Sequence, residues 1–263
     1  MWNGLNGSKM TITFEKVYWL PIVVFIWFPV TFIITYIIAV ITEDVPPIWP
    51  YISDTGTFPP EACIFGQLLN TGSILMAMVI YLRYRQVAEI SAIKSIETVT
   101  NLNLYSLWLG LIASFGISIV GNFQETNVFS LHLIGAGMAF GLGAIYEILQ
   151  VIVSLRIFPH LGSKQINTIR IFLATLCTIC MNLTFIFAAI SFLKFNGTDI
   201  TKWTKEYNGY IEHLCSSINE WITAIGTMGF ILTYTNEFKQ IKVVEPELQL
   251  FKSETHSNEV ERY

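Results

Sequence analysis

Charge is what this sequence has least of. Of its 263 residues only 13% are Asp, Glu, Lys or Arg, about half the share of an ordinary soluble domain. Hydrophobic residues make up 53%, which excludes a disordered chain and argues against a typical cytosolic enzyme. The net charge of −4 and pI near 5.6 offer no basic field for nucleic acid. Cysteine is also scarce. Four residues, Cys63, Cys177, Cys180 and Cys215, do not make a disulfide framework in a chain this long. No phosphate-binding glycine loop, HExxH, GxSxG or cluster with metal-ligand spacing occurs. The sequence therefore assigns no catalytic residue, cofactor or metal.

What the chain has instead is long apolar runs and a mean hydropathy of +0.55. A helix needs about 20 apolar residues to cross a bilayer core of roughly 30 Å. Five segments predict such helices: Val17–Thr42, Ala62–Leu82, Leu102–Phe123, Phe129–Leu155 and Ile171–Leu193. A sixth, Trp221–Asn236, reaches spanning length if it begins near Leu214 and takes in Glu220. The first run is too long for a signal peptide. Pro21 suits its first turn, whereas Pro29 is expected to kink it.

Twelve of the fifteen lysines and arginines fall in the two ends and the loops after helices two and four; only Lys194, Lys202 and Lys205 lie opposite. That bias predicts an all-α, six-span polytopic protein with both termini cytoplasmic. The boundaries are an arm at 1–16, a transmembrane domain at 17–242 and a disordered cytoplasmic tail at 243–263.

Within this frame several features carry chemistry. Gly137 and Gly141 form a small-x-x-x-small pair, predicted to pack against Gly110, Ser114 and Ser118 of helix three. His132 and Glu147 are intramembrane ionisable groups, which invite an ion-relay reading. They are about 22 Å apart along one helix and cannot pair. Glu147 is expected to reach the cytoplasmic interface, Arg156 or another helix. Cys177 and Cys180 read as buried small hydrophobes. Cys63 and Cys215 share the non-cytoplasmic side, where a disulfide can persist. Asn196-Gly-Thr198 is a glycosylation sequon on that side.

Residues 50–57, Pro-Tyr-Ile-Ser-Asp-Thr-Gly-Thr, followed by Pro60-Glu61 and Phe65-Gly66, resemble the damage-regulated autophagy modulator family of membrane proteins. The resemblance continues through Tyr81-x-Arg83-Tyr84, Asn122-Phe123-Gln124, His132, Tyr146, Gln150, Arg170, Tyr210, His213 and Glu220-Trp221, and covers about residues 17–242. It implies a six-helix, non-enzymatic protein of lysosomal or other endomembranes that modulates autophagy and cell death. Related branches imply a plasma-membrane protein that organises lipids or phosphoinositides. A small-solute or ion transporter is the third reading. Expected partners are membrane lipids and unidentified membrane or cytosolic proteins, not nucleic acid. The candidate functional positions are Tyr51, Ser53, Asp54, Gly56, Glu61, Asn70, Arg83, Asn122, Gln124, His132, His213, Glu220 and Trp221.

Physical chemistry gives these positions expected roles. Asp54-Thr-Gly56 is a turn signal. Asp54 or Glu61 is expected to pair with His213 or to cap helix two, with Glu61 the better cap. Gln67, Asn70, Asn122 and Gln124 are amides suited to bonding across helices. Asp54, Glu61, His213 and Glu220 together form a candidate ligand cluster at one membrane face.

Overall fold

The computed structural model describes residues 12–245; most of the arm and of the polar tail lie outside these. Six long helices account for nearly all of it. They are α1 (Trp19–Ile41), α2 (Glu61–Lys94), α3 (Thr100–Asn122), α4 (Phe129–Ile157), α5 (Lys164–Lys194) and α6 (Tyr210–Leu232). A single turn, α7 (Thr235–Phe238), follows. The first five are long and apolar enough to cross a membrane. The sixth, with 23 residues, has the same reach of about 34 Å and owes its lower hydropathy to its polar first half. The chain is a multi-pass helical membrane protein.

Helices adjacent in sequence are adjacent in space, and α1 closes the ring against α6. Strand β1 (Thr13–Phe14) pairs antiparallel with β2 (Val243–Val244). The two ends of the bundle thus lie on one face, here the terminal face. The opposite face carries the connections 42–60, 123–128 and 195–209 and is here the loop face. The strand pair takes in Val243 and Val244, which the sequence reading placed in the tail.

Helix lengths differ from the predicted spans mainly at the terminal face. At 34 residues, α2 is about 51 Å long and runs three turns beyond Leu82. α1 remains helical through Pro29, and its Trp27 indole donates to the Leu68 carbonyl of α2 at 2.8 Å. α4 is α-helical over Phe129–Ala136 and Gly143–Ile157, with a π-helical turn, Gly137–Leu142, between them.

Two expectations about packing need correction. α3 and α4 are neighbours, but Gly137 and Gly141 face open space with nothing within 4 Å of an added Cβ. The close approach is between Gly116 and Gly135. A Cβ on Gly116 would lie 2.7 Å from the Gly135 carbonyl oxygen and 2.7 Å from the Ala139 nitrogen. Gly135 and Gly137 are two residues apart, hence about 200° apart around a helix, so only one of the two glycine pairs can face α3. Glu147 is buried at 1% exposure, so of its expected environments only the neighbouring helices remain, with Thr227 of α6 and Cys177 of α5 beside it. It does not reach Arg156, which donates instead to the Thr98 carbonyl at 2.8 Å.

The amide expectation holds at Asn70 and Asn122. Each donates to the other's carbonyl oxygen, at 3.1 and 2.8 Å, and the Ser118 hydroxyl donates to Asn70 at 2.6 Å. This clasp joins α2 to α3. Cys177 and Cys180 are buried free thiols, and Cys63 and Cys215 are not bonded to one another.

The glycine correction is testable by melting the detergent-solubilised protein. Gly116→Ala should cost about 1–3 kcal/mol, the range for forcing atoms into a packed interface. Gly137→Ala should change stability by less than about 0.5 kcal/mol. Equal losses would return Gly137 to the α3 interface.

Candidate functional site

Polar side chains gather at both ends of the bundle, with opposite sign. At the terminal face Arg83 of α2 and Arg170 of α5 are both fully buried. Arg83 donates to Gln150 Oε1 at 3.1 Å, to Gln86 Oε1 at 3.1 Å, to Ser154 Oγ at 3.2 Å and to the Glu237 carboxylate. Arg170 donates to Thr233 Oγ1 at 2.9 Å and to Ser154 Oγ at 3.0 Å, and its Nη1 lies 2.9 Å from Glu237 Oε1. Both guanidinium carbons sit 4.9 Å from the Tyr234 ring centroid. Burial alone would raise the Glu237 carboxyl; the two guanidiniums outweigh it and hold the group below its ordinary value of 4.5. Arg83 was singled out in the sequence. Glu237, its counter-charge, was not, because it lies 154 residues away in a short charged stretch.

The loop face gathers acids. The 42–60 connection folds down over the helix ends and is pinned by α6. Glu220 Oε2 accepts from the Ile52 N–H at 2.7 Å, and the Trp221 indole donates to the Pro50 carbonyl at 3.0 Å. Trp221 also meets Phe32, Tyr36 and Trp49 edge-on. Asp54, Thr55 and Gly56 form one 3₁₀ turn. The Thr35 and Thr55 hydroxyls lie 3.0 Å apart, which ties this turn to α1. A Cβ on Gly56 would collide with the Phe65 ring, so the turn seats on α2 only with glycine there.

Asp54 is wholly buried and neither oxygen has a side-chain partner. Burial, then the Glu125 and Glu220 carboxylates, push its carboxyl well above the ordinary aspartate value, against an opposing backbone bond at Tyr51. The expected pairing of Asp54 or Glu61 with His213 is not formed. The His213 ring stacks on Trp203 at 4.4 Å and takes the Tyr51 ring edge-on at 4.7 Å, so aromatic neighbours occupy its approach. The N-cap of α2 is Pro60, with no side-chain cap bond. Glu61 is the first helical residue, and both its oxygens are buried without a partner.

His132, Ser53, Glu125 and Glu220 form a smaller group, of which the sequence had not singled out Glu125. The Ser53 hydroxyl donates to Glu125 Oε2 at 3.1 Å, and His132 Nε2 lies 4.0 Å from the same oxygen. His132 Nδ1 faces the Phe123 carbonyl at 2.8 Å. These residues line a cavity of about 380 Å³ between α4, α5, α6 and the folded-down loop, within the range of small-molecule pockets. Gln124 lies apart, in a groove with Asn70, Asn122 and Asn127 on the far side of α3. Asn196 is exposed beyond α5, where its side-chain carbonyl accepts from the Asn208 N–H at 2.9 Å.

Comparison with known proteins places this arrangement. The Frag1/DRAM/Sfk1/Cwh43P N-terminal domain family matches residues 16–241. DNA damage-regulated autophagy modulator protein 2 of Bos taurus is 37% identical over 230 residues, covering 85% of each chain. DNA damage-regulated autophagy modulator protein 1 of Homo sapiens is 36% identical over 222 residues, covering 84% of this chain and 90% of that one. The modulator of macroautophagy TMEM150B of Xenopus tropicalis is 36% identical over 177 residues, covering 67% and 66%. No solved structure matches the chain.

The terminal-face cluster sets a pH-dependent stability. The depressed Glu237 value means that its contribution is complete above the ordinary carboxylate value of 4.5 and is lost as pH falls through the folded-state value. Wild-type protein should therefore melt progressively earlier below about pH 4.5, while Glu237→Gln should lose that part of the acid dependence. At neutral pH Glu237→Ala should cost about 3–5 kcal/mol, since it strands two buried guanidiniums. A loss below about 1 kcal/mol in thermal melts would show the pairing to be dispensable.

Proposed function

This chain belongs to the Frag1/DRAM/Sfk1/Cwh43P family, and we propose that it is a non-enzymatic, multi-pass membrane modulator of autophagy. The observation that carries this reading is the extent of the match. Similarity to proteins named as autophagy modulators runs through all six helices, residues 16–241 for the family and 85% of the chain for the bovine relative. The disposition of the motif residues supports a non-catalytic role. Arg83, Asn70, Asn122, Glu220 and Trp221 spend their polar groups joining helices to one another or loops to helices.

The protein acts, on this reading, in lysosomal or other endomembranes, with its loop face luminal and both ends in the cytosol. The positive charges of the ends and of the loops after α2 and α4 support that orientation. The β1–β2 pairing supports it too, because it holds both ends on one face. Its effects run through contacts with membrane lipids and with membrane or cytosolic proteins.

The test is localisation of a C-terminally tagged protein under selective permeabilisation, with autophagic flux followed on depletion and re-expression. A lysosomal signal, a tag reachable from the cytosol and a change in flux are expected. A plasma-membrane signal would favour a lipid-organising role at the cell surface. A luminal tag would overturn the orientation, and unaltered flux would overturn the autophagy reading.

A further inference from the structure

The loop-face cavity has a chemistry that the autophagy reading does not use. Its polar end is rich in acceptors, with the neutral hydroxyls of Tyr51 and Ser53 beside them. Glu220 and His132 are each more than nine-tenths buried, at 8% and 7% exposure. Among the described residues each uses one polar atom: Glu220 Oε2 takes the Ile52 N–H, and His132 Nδ1 meets the Phe123 carbonyl. A carbonyl only accepts, so Nδ1 carries a proton, and in the neutral tautomer this selects Nε2 is the acceptor. Nε2 has no hydrogen bond among the described residues; Glu125 Oε2, itself an acceptor, is 4.0 Å away. Glu125 itself takes only the Ser53 hydroxyl. Two carboxylates and one imidazole nitrogen thus border the same space; neutral hydroxyls such as those of Tyr51 and Ser53 share it, but no Lys or Arg lines it among the described residues.

The remainder of the wall is apolar and opens sideways. The first two turns of α4 do not pack closely on α5; contact between these helices comes mainly from the Gly143–Ile157 half of α4. Phe129 and Phe192 stack across the top of this seam at 6.0 Å. Below them Leu133, Ala136 and Phe140 of α4 face Phe185, Ala188 and Ala189 of α5. Leu133 is 47% exposed and Phe192 58% exposed, in a part of the helices that faces lipid. A ligand can therefore enter from the bilayer with its apolar part in the seam and its head at the acceptor group.

We propose that the α4–α5 seam binds a single-chain amphiphile with a primary ammonium head, seated between His132 Nε2, Glu125 and Glu220. An ammonium offers three donors and no acceptor, which matches three acceptors. A hydroxyl head offers one donor and leaves two acceptors unmet. A phosphate head brings negative charge against two carboxylates with no cation to offset it. The proposal deepens the reading of the chain as a modulator that works through lipid contact, and rests on it for the ligand's source in the membrane.

Binding is measured on the purified full chain in phosphatidylcholine vesicles. The probe is a long-chain primary amine with a photoreactive group in its tail. Competitors are the unlabelled amine, the alcohol of equal chain length and its phosphate monoester. The amine should crosslink to α4 and α5 and be displaced by itself. The alcohol and the phosphate monoester should each compete at least tenfold less well. Glu220→Gln and Glu125→Gln should each weaken binding about tenfold, the effect of one charge-assisted contact. Ala136→Phe, which fills the tail region and keeps the acceptors, should remove binding. Each variant is first shown to elute and melt as wild type; Glu125, at the cavity rim, serves if Glu220→Gln does not fold. Equal competition by the phosphate or the alcohol, or unchanged affinity in a folded Glu125→Gln variant, overturns the proposal. Failure here with altered autophagic flux in cells would sink the ligand and leave the autophagy reading standing. Binding without any effect on flux would do the reverse.

Discussion

The bundle depends on one carboxylate held between two guanidiniums. Lipid tails are as apolar as leucine, so the hydrophobic effect does not drive helices together inside a bilayer; close packing and polar contacts must. Glu237 supplies the polar contact at the centre of the most widely shared network. It meets Arg83 from α2 and Arg170 from α5, and its own carbonyl accepts from Gln86 at 2.8 Å. Ser154 of α4 accepts from both arginines, and Gln150 passes the network to Ser106 of α3 at 2.7 Å. Tyr234 fills the space beside both guanidiniums, with its hydroxyl 3.1 Å from that of Tyr146. Four helices and the segment after α6 are thereby fixed to one another. The cluster holds two cations against one anion, and the excess is met by neutral acceptors. Buried guanidiniums so supplied avoid the penalty that makes an unpaired internal charge expensive.

The loop face is built on a different rule. There the helices are covered by a connecting segment, and α6 pins it through Glu220 and Trp221. The proline-rich loop is stiff, so a few contacts suffice to place it. One indole donor, one carboxylate and the Thr35–Thr55 contact settle residues 50–56. What this leaves unsatisfied is a surplus of acceptors: Asp54, Glu61, Glu125, Glu220 and one nitrogen of His132. The charges of the terminal cluster are paired and those of the loop end are not, so ligand chemistry belongs at the loop end.

Much of the fold was legible because a bilayer demands long apolar runs, and these are conspicuous. The Asn70–Asn122 clasp was legible for a similar reason: amides in apolar helices need partners, and sequence order makes α2 and α3 neighbours. The glycines of α4 were misread because Gly135 and the Gly137/Gly141 pair lie on different sides of the helix, and periodicity cannot say which side meets α3. The π-helical turn over Gly137–Leu142 compounds this, since it shifts residue phase around the helix axis. His213 was expected to meet a carboxylate because both are polar; in the fold Trp203 and Tyr51 reach it first. Glu237 and Glu125 were invisible as site residues. Each is one charge in a polar stretch, and its partner is set by tertiary packing over a long sequence separation.

The buried charges follow the same polarity as the loops. Arg83 and Arg170, with Glu237 between them, lie toward the face where most of the lysines and arginines are exposed, and the buried acids Asp54, Glu61 and Glu220 lie toward the face that has few. A charge near the end of a span is less costly to bury than one at the midplane, because water and headgroups are closer. A helix that presents cations at one end and acids at the other therefore places each where its burial is cheapest. The same arrangement sets the field that an entering molecule meets. At the loop face that field is negative, and the seam beneath it is apolar. Together they select for a positive or donor head followed by a hydrocarbon chain, and select against the phosphate heads that dominate the surrounding membrane.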